Sequence, residues 1–159
     1  EILERLPGVR TVVAPVSGGG LIGGIAAALK GIDPSRTVVG AYAEKAPVMA
    51  RSVAAGHLVQ LPEEPTIATA LAGNLGESNR YSLRLVATHV DELVPVSETE
   101  IRAAMRFAFT RHRLVVEGGG AVAVAAVLGA PGRWEGPIAV VVSGGNIDLE
   151  RFREAIAPE

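Results

Sequence analysis

The sequence predicts an α/β fold in which a parallel sheet is flanked by helices in three layers, and three observations predict it. Short, nearly all-apolar runs alternate with alanine-rich helical runs along the 159 residues, the pattern of strands covered on both faces. Hydrophobic residues make up 48% of the chain but aromatics only 4%, so small aliphatic side chains must fill the space between layers. Glycine-rich turns, drawn from 19 glycines, fall where apolar runs end and helices begin.

Taken in order, Glu1 to Leu6 reads as the end of an amphipathic helix, with neither an initiator Met nor a signal peptide, so the chain is expected to be cut from something longer. Thr11 to Val16 is a strand whose Pro15 belongs near its end. Leu21 to Leu29 is helical, Asp33-Pro34-Ser35 turns the chain, and Thr37 to Ala43 is a second strand, completing a βαβ unit. A helix over Val48 to Ala55 stops at Gly56, and a loop with Pro62 and Pro65 leads to a helix from Ser78 to His89. Leu93 to Val96 is a strand. Ser97 and Glu100 form a capping box opening a helix that reaches about His112. Leu114 to Val116 is strand-like, a glycine turn precedes a helix over Ala121 to Leu128, and a strand at Ile138 to Val142 and a helix from Asp148 close the pattern. One domain over residues 1–159 is expected at this length.

Charge and composition exclude several classes of function. Lys plus Arg is 15 against 17 for Asp plus Glu, and no basic run offers a nucleic-acid footprint. Apolar stretches are broken well short of the roughly 20 residues a membrane span needs. The chain has no cysteine, which removes disulfides, thiolate catalysis and cysteine-ligated zinc and fits a cytoplasmic protein.

The chemically informative segment is Ser17-Gly18-Gly19-Gly20-Leu21-Ile22-Gly23-Gly24, between a strand and a helix. Converging backbone N–H groups and a helix N-terminus there could hold a phosphate without any lysine or arginine; the alternative is a tight turn that needs glycine for packing alone. Glu117-Gly118-Gly119-Gly120-Ala121 and Ser143-Gly144-Gly145-Asn146 also follow apolar runs, so all three loops could meet at the carboxyl edge of a parallel sheet. By itself Ser143 reads as a strand-end cap and Glu117 as a first-turn charge.

The ordered motifs P-V-S-G-G-G-L-I-G-G, V-V-E-G-G-G-A and V-V-V-S-G-G-N-I-D-L-E resemble the fold-type II pyridoxal phosphate enzymes, in particular their threonine/serine dehydratase and serine racemase branch. The likeness covers nearly the whole chain and includes A-P-V-M-A-R-S at 46–52, T-I-A at 66–68 and A-G-N at 72–74. It implies pyridoxal 5'-phosphate as cofactor, with Ser17, Gly18, Gly19, Gly20 and Leu21 around its phosphate, Ser143 against its pyridine nitrogen and Glu117 beside its ring. The implied reaction is β-elimination of a hydroxy amino acid such as threonine or serine to a 2-oxo acid and ammonia, in a homo-oligomer. A racemase or a 3-hydroxy amino acid lyase of the same family shares these motifs.

Departures from the family pattern set limits. The family's cation-binding acid aligns with Tyr42, and Glu44 two positions on is one carboxylate without partners, so no metal is expected. Thr69-Ala70 replaces the family's Asp-Gly. The only lysines are Lys30 and Lys45, both expected at the surface; the lysine that carries the cofactor and the small substrate domain would lie in a missing N-terminal portion, and this stretch alone is expected to be inactive. His57, His89 and His112 show no metal-binding spacing, Met105, Phe107 and Phe109 read as a core face, and Arg102, Arg106 and Arg113 as an exposed helix face. The rival reading is a non-catalytic nucleotide-binding module using Gly18, Gly20 and Gly23 as G-x-G-x-x-G with Glu44 as its acid; it needs the first loop only. A degenerate interaction subunit is a third.

Overall fold

In the computed structural model, which describes residues 1–157, four strands form one parallel sheet in the order β3-β2-β1-β4. β1 (Thr11–Pro15) pairs with β2 (Thr37–Ala43) on one side and β4 (Ile138–Val140) on the other, and β3 (Glu92–Val96) pairs with β2. All five residues of β1 are buried. Its one polar side chain, Thr11, sends its hydroxyl to the Glu135 carbonyl at 2.7 Å, which removes the penalty of an unpaired buried group. Pro15 is the last residue of the strand and lies beyond Val13, the last β1 residue in register with β4.

Alternation along β1 and β2 feeds two apolar layers. Val12, Ala14 and Val38 face α2 (Gly20–Ile32), α3 (Val48–Ala55) and α4 (Arg80–His89), whose Ile22, Met49 and Val86 complete that core. Val13, Val39, Ala41 and Ala43 face α5 (Glu98–His112), α6 (Gly118–Gly129) and α7 (Leu149–Ile156). These are the three layers expected from sequence. The short α1 (Ile2–Arg5) rests its Ile2 and Leu3 on the first of them. The capping box forms as read: Ser97 Oγ accepts from the Glu100 N–H at 3.3 Å, and the Ser97 N–H donates to Glu100 Oε2 at 2.7 Å.

Several expectations are corrected. Leu114 to Val116 is not a strand: the Leu114 N–H donates to the Ala108 carbonyl in closing α5, no strand lies alongside among the described residues, and Leu114 and Val115 are exposed. Helix α6 starts at Gly118, so the glycine turn is its first turn and Glu117 its N-cap. The regular part of β4 ends at Val140, although the Val141 N–H still donates to the Val13 carbonyl. Arg102 and Arg106 are not simply solvated: they donate to the Glu154 and Ile156 carbonyls and tie α5 to α7.

Lys30 is also placed differently. Its side chain is only 17% exposed, and Nζ reaches the Arg36 carbonyl at 2.6 Å and the Asp91 carboxylate at 2.8 Å. The same carboxylate accepts from the Val38 N–H at 2.7 Å. Lys30 therefore ties α2 to the segments entering β2 and β3 at the amino edge of the sheet, opposite the glycine loops. Among the described residues no helix is long and apolar enough to cross a membrane.

Candidate functional site

The carboxyl edge of the strands carries one cleft lined by segments far apart in sequence. Pro15, Ser17, Gly18, Gly19, Gly20 and Leu21 form one wall; Glu117, Gly119 and Ser143 supply another, and Ala70 and Leu71 the third. All seven residues singled out from sequence, Ser17, Gly18, Gly19, Gly20, Leu21, Glu117 and Ser143, border this space. It measures about 140 Å³, below the range of roughly 300–1,000 Å³ that encloses a small ligand. Gly20, Leu21 and Ser143 are exposed, so the cleft is open on one side.

The first wall is a helix N-terminus preceded by a left-handed glycine. Gly19 has φ +79° and caps α2. The Gly23 N–H donates to the Gly19 carbonyl, so the N–H groups of Gly20, Leu21 and Ile22 have no intrahelical acceptor. A side chain at Gly19 would have to adopt this left-handed backbone, and its Cβ would press on Val86 Cγ2 at 3.0 Å and Ser82 Cβ at 3.3 Å, so glycine suits the loop where it lies against α4. No lysine or arginine borders the cleft. Free amides, the helix dipole and an open face are the donor set that suits a phosphate.

The second wall comes from α6 and the loop after β4. The Glu117 N–H donates to the Gly144 carbonyl at 3.2 Å, and the Glu117 side chain lies against the Gly144 Cα. Gly118 is packed on the Ile67 backbone with no room for a methyl group, which fixes the T-I-A segment beside α6. That segment is held from its other side by Glu98, whose carboxylate accepts from the Thr66 hydroxyl and from the Ile67 N–H at 2.9 Å. Ser143 reaches the cleft from the loop that leaves β4.

Sequence reading misses the supporting residues. The Gly18 carbonyl accepts from Ser82 Oγ at 2.5 Å and Asn79 Nδ2 at 2.9 Å, both at the start of α4, and the Ser17 hydroxyl reaches the Leu71 carbonyl at 3.4 Å. No local pattern marks Asn79, Ser82 or Glu98, because each acts on backbone distant in sequence. Lys45 follows β2 and Lys30 lies at the opposite edge; neither borders the cleft. A roomier cleft of about 510 Å³ between the 66–69 segment, α5 and α7 shares Glu117, but its walls are side chains such as Arg102, Arg151 and Glu154, without the free amides of the glycine loop. Glu44 is exposed, and among the described residues no three His, Cys, Asp or Glu side chains are grouped to hold a metal ion.

Known proteins resemble the chain over most of its length. The family model for the pyridoxal-phosphate dependent enzymes matches residues 1–144. A putative threonine dehydratase of Sinorhizobium fredii is 40% identical over 157 residues, covering 98% of this chain and 47% of that protein. An L-threonine ammonia-lyase of Thermotoga maritima is 41% identical over 156 residues, covering 98% and 38%. Maize serine racemase superposes with a TM-score of 0.84 at 34% identity, over 98% of this chain and 48% of the other. The chain spans about half the length, or less, of these relatives. With an α/β sheet of matching fold and a family match across nine-tenths of its length, the chain belongs to the pyridoxal-phosphate dependent enzymes.

Proposed function

We propose that this chain forms the phosphate- and ring-binding part of an enzyme that eliminates water from a hydroxy amino acid, threonine or serine, after which hydrolysis of the dehydrated product releases ammonia and leaves a 2-oxo acid. The observation carrying this is the convergence of Ser17–Leu21, Glu117 and Ser143 on one cleft. A dinucleotide module would need the first loop alone; here Glu44, its required acid, stands outside the lining. Threonine is preferred because two relatives named for it are 40% and 41% identical to the chain, against 37% for a rice serine racemase over the same share of it. Amino acid racemisation is the second reading, favoured by a rice serine racemase 37% identical over 162 residues.

The residues present fit pyridoxal phosphate. The amides of Gly18 to Leu21 would hold its phosphate by hydrogen bonds and the dipole of α2. Ser143, a neutral hydroxyl, would face the pyridine nitrogen without fixing a proton there, whereas an acidic partner would keep it protonated. Glu117, fixed against Gly144, would orient the ring. When bound, the cofactor supplies an electron sink for the pair released with the α-proton. A neutral neighbour at the nitrogen makes that sink weaker, which suits elimination better than amino-group transfer.

The cofactor-carrying lysine and the substrate-carboxylate site belong, in this proposal, to an N-terminal portion of the same enzyme that also closes the open side of the cleft. The described surface supports such a partner: β4 is an edge strand, and Leu21, Ile32, Leu114, Leu128 and Val142 around it are exposed. A single domain over residues 1–159, a homo-oligomer and a cytoplasmic setting complete the reading. The test is titration of the chain with pyridoxal phosphate, followed by its visible spectrum and by borohydride trapping. Saturable binding without a trapped lysine is expected; a folded chain that does not bind overturns the proposal, and a trapped Lys30 or Lys45 overturns the placement of the reactive amine. In the complete enzyme, 2-oxo acid release from threonine against inversion of serine separates elimination from racemisation.

A further inference from the structure

We infer that Asn79 and Ser82 are positioning residues of the phosphate cradle, setting which way the Gly18–Gly19 peptide faces. The inference rests on the reading that the glycine loop takes a phosphate. Neither side chain borders the cleft. Both donate to the Gly18 carbonyl, Ser82 Oγ at 2.5 Å and Asn79 Nδ2 at 2.9 Å. Asn79 is fixed in turn: its Oδ1 accepts from the Gly76 N–H at 3.1 Å, and Nδ2 lies 3.4 Å from Ser82 Oγ.

A trans peptide is planar, so a carbonyl and the next residue's N–H point in opposite directions. Holding the Gly18 carbonyl against the first turn of α4 therefore turns the Gly19 N–H away from α4, toward the side lined by Ser17 to Leu21. A run of three glycines is the segment least able to hold that orientation itself, since glycine tolerates both peptide orientations at little cost. Flipped, the same peptide would present a carbonyl dipole to a dianion and repel it. The cradle thus depends on a clamp from a different helix. That helix is itself seated closely, because a Cβ at Gly23 of α2 would meet Leu85 Cβ of α4 at 3.0 Å.

The test compares pyridoxal phosphate with pyridoxal, which lacks the phosphate, in titrations of the chain and of Asn79→Ala, Ser82→Ala and Ser82→Thr, with melting curves for each. Loss of one well-placed donor should weaken pyridoxal phosphate binding about tenfold, leaving pyridoxal binding and the melting temperature nearly unchanged. Ser82→Thr keeps the hydroxyl and should bind as the parent does. Alanine variants that bind pyridoxal phosphate like the parent, or that lose both ligands in equal proportion, would overturn the clamp while leaving the cradle in place. A parent chain that does not distinguish the two ligands would instead overturn the phosphate reading.

Discussion

Glu117 and Gly144 hold each other at two points: the Glu117 N–H donates to the Gly144 carbonyl at 3.2 Å, and the Glu117 side chain rests on the Gly144 Cα, where φ is +131°. Two of the loops that line the cleft are fixed to one another by this contact. Gly144→Ala has to meet both an unfavourable backbone conformation and the carboxylate, and should destabilise the fold by about 1–3 kcal/mol or more. Urea denaturation measures that loss. Cofactor affinity should fall further than stability alone explains, because Ser143 precedes the displaced residue.

Gly118 and Gly24 are both helical glycines with opposite expected responses. A methyl at Gly118 would be driven into the Ile67 backbone, which cannot rotate away as a side chain can, whereas nothing lies within 4 Å of a Cβ at Gly24. Gly24→Ala should stabilise the chain by about 0.5–1 kcal/mol through helix propensity, and Gly118→Ala should cost several times that in the opposite sense. Paired thermal melts decide it.

Lys30 should matter for stability and not for chemistry. Lys30→Met removes a donor to the Arg36 carbonyl and to Asp91, with an expected loss of about 1–3 kcal/mol. Pyridoxal phosphate titration of the variant should match the parent, since Lys30 lies at the other edge of the sheet.

Asp33 sets a small acid dependence. Hydrogen bonds from the Ser35 hydroxyl and amide, with Arg36 alongside, hold its carboxyl below the ordinary 3.8. The folded chain then binds fewer protons at Asp33 than the unfolded chain does, so this stabilisation is present above the ordinary value and lost as pH falls through the folded one. Asp33→Asn should flatten the decline in stability between about pH 5 and 3. Acid titration of the melting temperature reads this directly.

The β4 edge should drive association of the isolated chain. Val142→Lys and Leu128→Glu place charge in its apolar surroundings and should lower self-association in sedimentation. An unchanged distribution would show that copies meet elsewhere.

Most strands are legible because their burial on both faces leaves nearly unbroken apolar runs, as in Thr11 to Val16, and the capping box marks α5 because Ser97 and Glu100 act three residues apart. Leu114 to Val116 misleads because an apolar run carries no information about whether a neighbouring strand exists. The start of α6 misleads for another reason: Gly118 to Gly120 look like a turn by propensity, but close packing on Ile67 and Gly144 demands small residues within the helix itself. Lys30 reads as a surface residue because its partners, Arg36 and Asp91, are joined to it only through the fold. The seven residues around the cleft are identifiable because their loops are read as motifs, and the clamp from α4 is not, because a hydrogen bond to a glycine carbonyl leaves no trace in the glycine.

Thr11 pairs with Thr37 nearby in the chain and with Ile138 near its far end. During synthesis β1 can therefore find β2 almost at once, while its other side lacks its β4 neighbour until Ile138 to Val140 have emerged. For that interval the future centre of the sheet is an open margin of backbone donors and acceptors, attractive to any other extended chain in reach. The exposure ends when Ile138 to Val140 leave the ribosome, so a delay in translation upstream of β4 prolongs the period in which this chain is most liable to misassemble.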